Sequence, residues 1–201
     1  MAHPTIKPFY ILPALCCMKK SLLLVLTLLA ASPSLFAQKW GTRNGQISFF
    51  SAAKMEDITA TNKTVSAVVD ATAGTVAVSL DMRDFKFKRS LMEEHFNENY
   101  VESEKFPKAE FRGKIENAQT VKWTTDGVYP IAVAGTLSLH GITKPVTVPF
   151  TLIIKDGKAG VTGKFPLALA DYGVKVPTLL TAKIAEVVEV NVVIAMAMLG
   201  V

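Results

Sequence analysis

From residue 45 onward, apolar and polar residues alternate with period two in nearly every segment, the pattern of strands that bury one face and wet the other. Phe111, Gly113 and Ile115 alternate with Glu110, Arg112, Lys114 and Glu116. Ile131, Val133, Gly135, Leu137 and Leu139 alternate with Ala132, Ala134, Thr136, Ser138 and His140. A turn at Gly141-Ile142-Thr143 then leads into Val146, Val148, Phe150, Leu152 and Ile154, all in one phase, which makes a hairpin. Asp156-Gly157 is a second turn, opening a strand with Val161, Gly163, Phe165, Leu167 and Leu169 in phase. The last strand carries Ile184, Val188, Val190, Val192 and Ile194. Ile47 to Ala53, Thr64 to Asp70 and Thr75 to Lys88 bring the count to about eight. Within the last of these, Val76, Val78, Leu80 and Met82 hold one phase and Phe85 and Phe87 the other, so a bulge is expected near Arg83.

One helix interrupts the strands. Ser90-Leu91-Met92-Glu93 has the form of a capping box, acids crowd the first turn, and Met92 and Phe96 fall one helical turn apart. The helix is expected from Ser90 to Asn97, with its apolar side covering one end of the sheet. Strands joined by short turns, with a single helix, specify an all-β antiparallel meander that closes into a barrel or folds into a sandwich. Gly113, Gly135 and Gly163 all lie in the inward phase, where glycine marks a sharp bend or a close approach to the backbone, and they favour an eight-stranded barrel. A barrel of that size is about wide enough for its side chains to fill it or for one slim ligand.

A chain of 201 residues is one domain's worth, and half of its residues are apolar, which excludes a disordered chain. The formal charge of +5 divides unevenly. Lys7, Lys19 and Lys20 lie in the first 37 residues, which hold no acid, leaving 19 cations against 17 acids and a net +2 on residues 38–201. So small an excess gives no reason to expect nucleic acid as a partner.

Met18-Lys19-Lys20 followed by the apolar run Ser21 to Ala31 has the charged start and short apolar core of a secretory signal, and the run meets Pro33 before it is long enough to span a bilayer. Residues 1–37 are therefore read as a signal peptide cleaved after Ala37, with Met18 an alternative start, and residues 38–201 as a single periplasmic or secreted domain. Cys16 and Cys17 precede the apolar core, so the mature chain has no cysteine and depends on packing alone. Val192 to Val201 is too short for a membrane span.

No phosphate loop, nucleophile elbow or His-Glu-x-x-His pair occurs, and without mature cysteines thiolate catalysis and Cys-based zinc sites are excluded. No catalytic residue and no cofactor are assigned. His95 with Glu98 and His140 is the one conceivable metal set, against a solvated helix face for His95 and a structural hydrogen bond to the adjacent turn for His140. Arg83 to Arg89 interleaves basic and aromatic residues, as a single-stranded nucleic acid or anionic lipid site would, and as an ordinary strand face with outward lysines also would. Asn62-Lys63-Thr64 matches a glycosylation acceptor, a pattern short enough to arise by chance.

The stretches Ser90 to Tyr100, Glu102-Ser103-Glu104-Lys105-Phe106-Pro107-Lys108-Ala109-Glu110-Phe111, and Gly135-Thr136-Leu137-Ser138-Leu139-His140-Gly141-Ile142-Thr143-Lys144-Pro145-Val146, with the later Asp171-Tyr172-Gly173-Val174, resemble in their order the YceI-like family of bacterial lipid-binding proteins. The resemblance covers most of residues 45–198. It implies a lipocalin-like, elongated antiparallel barrel exported to the periplasm, holding a long isoprenoid chain such as a polyisoprenoid or quinone tail.

Periodicity supplies the candidate lining, Phe111, Val133, Gly135, Leu137, Leu139, Val148, Phe150 and Phe165, and the resemblance supplies the lipid. Inward alternation fits a filled core equally well, which keeps open a non-enzymatic envelope interaction module as the alternative. Gly135 is expected to face the ligand, against a packed core or a backbone position that only glycine tolerates.

Overall fold

The computed structural model describes residues 38–52, 57–175 and 185–199; the apolar segment ahead of residue 38, read above as a signal, and Ile184 lie outside them. Strands β1 (Lys39–Ser51), β2 (Ile58–Asp70), β3 (Thr75–Asp81), β4 (Lys86–Phe87), β5 (Lys108–Ile115), β6 (Gly127–Leu139), β7 (Ile142–Lys155), β8 (Lys158–Ala168) and β9 (Val187–Met198) pair antiparallel throughout. They follow the order β1-β9-β8-β7-β6-β5-β3-β2, and β2 pairs back onto β1, so eight strands close into a barrel. β4 is a two-residue addition on β2. This is the all-β barrel expected from the alternation, and the β1–β2 pairing excludes the sandwich.

The two hairpin turns show how local chemistry sets the register. The β6–β7 turn sits at His140-Gly141, with φ of 50° and 74°, and the β7–β8 turn at Asp156-Gly157, with φ of 50° and 69°. Two successive left-handed residues match the twist of the flanking strands. The turn is one residue earlier than the expected Gly141-Ile142-Thr143, because β-branched Ile142 and Thr143 resist positive φ and instead begin β7.

The expected bulge near Arg83 is instead a complete break. β3 ends at Asp81, a 3-10 turn spans Met82–Asp84, and β4 then resumes on β2. Asp81 caps the turn by accepting the Arg83 N–H at 3.0 Å. Fully buried Asn62 supports it, donating from Nδ2 to the Asp81 carbonyl at 2.8 Å and accepting the Thr64 N–H at 2.9 Å. A side chain so enclosed is no glycan acceptor, and the Asn62 sequence match has this structural explanation.

Helix α1 (Ser90–His95) runs directly into a π-type turn at Phe96–Tyr100. The capping box does not form: the N-cap is Arg89, without a side-chain cap bond. Glu93 is drawn away by β4, where its carboxylate takes the Lys86 ammonium at 2.6 Å and the Phe87 N–H at 3.4 Å. An ammonium partner together with a backbone N–H outcompetes the single backbone N–H that a capping box offers.

Candidate functional site

The two ends of the barrel are built differently. At one end arrive the β2–β3, β5–β6 and β7–β8 connections, and the side chains there are closely packed: Val65, Ala67, Leu152, Ile154 and Ala159 are buried to 3% exposure or less. The β5–β6 connection folds inward as a plug carrying Val121 and Trp123. Asn117 pins it to β6, donating to the Pro130 carbonyl at 2.9 Å and accepting the Ala132 N–H at 3.2 Å. Tyr129 adds a hydroxyl bond to the Thr125 carbonyl at 3.0 Å. Trp123 packs against Trp40 with ring centroids 6.1 Å apart, completing a closed floor.

Above this floor lies an elongated cavity of about 660 Å³. Small-molecule sites typically span about 300–1,000 Å³. Ile131 and Leu139 both line it, and they stand eight positions apart, roughly 26 Å along β6. Val76, Val78, Phe111, Leu137, Phe150 and Phe165 belong to its wall and are only half-buried, since part of their surface faces the cavity. The wall is apolar apart from the side-chain N and O atoms of Ser51, His95, Tyr100, Glu110 and Trp123.

Of the candidate lining, Phe111, Val133, Leu137, Leu139, Val148, Phe150 and Phe165 all form the wall. Gly135 does not, which corrects the expectation that it meets a ligand. Gly135 and Gly113 are cross-strand partners on β6 and β5, and a Cβ on Gly135 would run into the Arg112 carbonyl oxygen, with Gly113 Cα at 2.5 Å and Phe111 Cζ at 2.7 Å. The bare backbone lets the two strands bend together and the Phe111 ring lie over them. Gly163 is covered by the Phe150 ring in the same way.

The other end is covered by α1 and its π-type turn. Phe96 stands among Phe49, Phe85 and Phe87, with centroids 5.6, 5.7 and 5.0 Å away, a cluster of the kind worth roughly 0.5–1.5 kcal/mol per ring pair beyond burial. Phe85 and Phe87 thus turn inward from the basic-aromatic stretch and leave Lys86 to solvent and Glu93, so the rings are not available to stack on bases. Sequence reasoning missed this cluster and Trp123 as wall residues. The phase switch after Met82 was the visible signal for Phe85 and Phe87, whereas Trp123 stands outside any periodic segment.

His95 contributes to the wall from α1, and Tyr100 follows from the π-type turn with its phenol raised above the ordinary value by burial. His140 lies elsewhere. Its Nδ1–H donates to the Tyr172 carbonyl at 2.9 Å, its Nε2 stands 3.2 Å from Glu102 Oε2, and its ring meets Phe106 edge-on at 4.6 Å. The residue ties the β6–β7 turn to two other connections, a structural role reaching beyond its own turn. Among the described residues no group of three His, Cys, Asp or Glu side chains gathers as a metal site would need.

Glu93 sets how firmly α1 is held at low pH. The Lys86 hydrogen bond, with the Phe87 N–H and the Lys86 charge adding to it against partial desolvation, holds its carboxyl below the usual range. A depressed acid stabilises the fold at neutral pH and loses that contribution as pH falls through its folded value. Amide protection of α1, corrected for intrinsic exchange, is therefore expected to stay level from neutral pH to about 5 and to fall below about 4, with the step absent in Glu93→Gln. An unchanged step in that variant would assign it to another group.

A family model described as YceI-like domain matches residues 39–196. Among solved structures, a polyisoprenoid binding domain from Saccharophagus degradans superposes with a TM-score of 0.71 at 16% identity, covering 81% of this chain and 99% of that one. BcnA from Burkholderia cenocepacia gives 0.64 at 18% identity, covering 77% and 96%. A YceI protein from Campylobacter jejuni gives 0.52 at 17% identity, covering 68% and 82%. No curated protein matches in sequence. At such identities the superpositions speak for the barrel alone, while the family match spans nearly every described residue. The chain belongs to the YceI-like family.

Proposed function

We propose that this protein is a non-enzymatic carrier, exported to the periplasm or secreted after removal of residues 1–37, that holds one long apolar lipid of the isoprenoid type inside its barrel for storage or transport of a lipid or quinone precursor. The observation that carries the reading is the cavity: long, and walled almost wholly by hydrocarbon. Sequestering an apolar chain there gains about 25 cal/mol for each Å² removed from water. A charged ligand gains nothing comparable, because no lysine or arginine contributes to the wall. Family membership and the polyisoprenoid binding domain of similar fold support the same reading. None of the described helices is long and apolar enough to cross a membrane.

Phe111, Val133, Leu137, Leu139, Val148, Phe150 and Phe165 are the proposed contacts. The test is organic extraction of protein purified from its native host, followed by mass spectrometry. A long-chain lipid in near-stoichiometric amount is the expected result, and an empty extract from folded protein would count against the carrier.

A further inference from the structure

The boundary between β7 and β8 is only partly zipped. Its ladder runs from Lys155 opposite Lys158 to Thr151 opposite Thr162 and stops there. Among the described residues, β7 continues to Ile142 paired with β6 alone, and β8 continues to Ala168 paired with β9 alone. Prolines account for the break. Pro145 and Pro149 stand opposite Thr136 and Ala132 in an unbroken β6–β7 ladder, so the residues between them carry its hydrogen bonds and the proline nitrogens face β8. Pro166, opposite Glu189 in the β8–β9 ladder, faces β7 for the same reason. Continued in register, the two edges would meet where all three of these N–H donors are missing.

Behind this seam lies the cavity: Val146 and Phe150 of β7 and Phe165 and Leu167 of β8 belong to its wall and are half-buried. Side chains span the seam where the ladder does not. The 3-10 turn Leu169–Tyr172, which follows β8, brings Asp171 to Lys144 Nζ at 2.6 Å, with the two side chains 55% and 42% exposed, and the Tyr172 carbonyl to the His140 ring at 2.9 Å. By contrast, where β2 ahead of Ser66 has no β3 partner, β4 and the Phe49, Phe85, Phe87 and Phe96 rings fill the gap. We propose that the β7–β8 seam is a lateral gate: the apolar chain enters and leaves the cavity sideways between the two strands, and the Lys144–Asp171 pair is the clasp. The inference rests on the carrier reading and adds the route its cargo takes. Parting the edges breaks no ladder hydrogen bond, and an exposed ion pair is a weak fastening whose two charges return to water. A hydrocarbon chain in the slot exchanges apolar contacts for apolar contacts, so it strands no polar group on the way.

Residues 38–201 contain no cysteine, so Lys144→Cys with Asp171→Cys supplies the one pair of thiols there, and a cleavable, disulfide-containing bismaleimide can join them. The probe is all-trans-retinol, whose fluorescence follows its release from the delipidated, reloaded protein into phosphatidylcholine vesicles and its uptake from them. A gate changes the barrier and not the two end states. The cross-linked variant is therefore expected to release and take up retinol roughly tenfold or more slowly, with the partition between protein and vesicles unchanged, and to recover the parent rates once the linker is cut. Removing the clasp acts in the opposite sense: Lys144→Gln is expected to speed both directions about two- to fivefold, the range an exposed ion pair allows. In the parent protein the Thr147 N–H, which faces the seam, is expected to exchange with deuterium faster than those of Val146 and Val148, which the β6 ladder holds. That measurement gives an answer even where a variant fails to fold.

Parent rates in the cross-linked protein overturn the gate and leave the carrier standing; the chain then takes another route. Slowing of equal size in the singly modified Lys144→Cys or Asp171→Cys variant assigns the effect to the attached reagent and overturns the gate as well. Protection of Thr147 equal to that of its neighbours overturns the open edge on which the inference depends. A parent protein that takes up no retinol overturns the carrier reading and this inference together.

Discussion

Gly135→Ala is expected to lower the melting temperature by about 10 °C without changing the lipid held per folded molecule. The added methyl enters the space between β5 and β6, where the Arg112 carbonyl, Gly113 Cα and the Phe111 ring already stand. Backbone cannot move aside as a flexible side chain does, so the cost lies at or above the upper end of the usual overpacking range, about 3 kcal/mol. For a domain of this size each kcal/mol shifts the midpoint by roughly 2–4 °C. Gly157→Ala is the matched comparison. It has a φ of 69° but nothing within 4 Å of the added Cβ, so it suffers backbone strain alone and is expected to lose only about 1 kcal/mol. Thermal unfolding followed by far-UV circular dichroism separates the two. A Gly135→Ala midpoint within about 3 °C of the parent would refute the close strand approach.

Leu137→Trp is expected to weaken binding of a long-chain lipid more than tenfold while shifting the midpoint by less than about 3 °C. Leu137 is half-buried, pairs across the strands with Phe111, and lines the cavity, so the larger indole has free volume to enter. Filling that volume removes ligand space without compressing a neighbour. In a filled barrel the same substitution would cost about 1–3 kcal/mol of overpacking strain and a correspondingly lower midpoint. The paired readout therefore distinguishes the carrier from an envelope interaction module with a solid core. A destabilised variant with unaltered lipid affinity would favour the module.

Much of the barrel was legible because strand alternation is a local property. Phe111, Leu137 and Phe165 each announce an inward face within a few residues, and Asp156-Gly157 announces its turn in two. The helix stands where its pattern places it, but its capping box does not form, since the partner that captures Glu93 is Lys86 on β4, and a cross-element ion pair leaves no mark in the Ser90-Leu91-Met92-Glu93 pattern. The three inward glycines are marked in the sequence as bends, close approaches or ligand-facing positions, and which of these holds depends on what lies opposite, which no single segment contains.

What the sequence determined by itself was the phase of each strand, hence which side chains face inward, since the side-chain period of two is built into the extended backbone. Tertiary structure alone decided that β2 returns to β1 and closes the ring. It also decided that Gly135 faces Gly113, and that Trp123 drops from a connection into the cavity wall while much of the inward row lines open space. Inward phase says that a side chain leaves water. Whether it then meets another side chain or empty space depends on the summed volumes of residues from all eight strands, a quantity that no single segment contains.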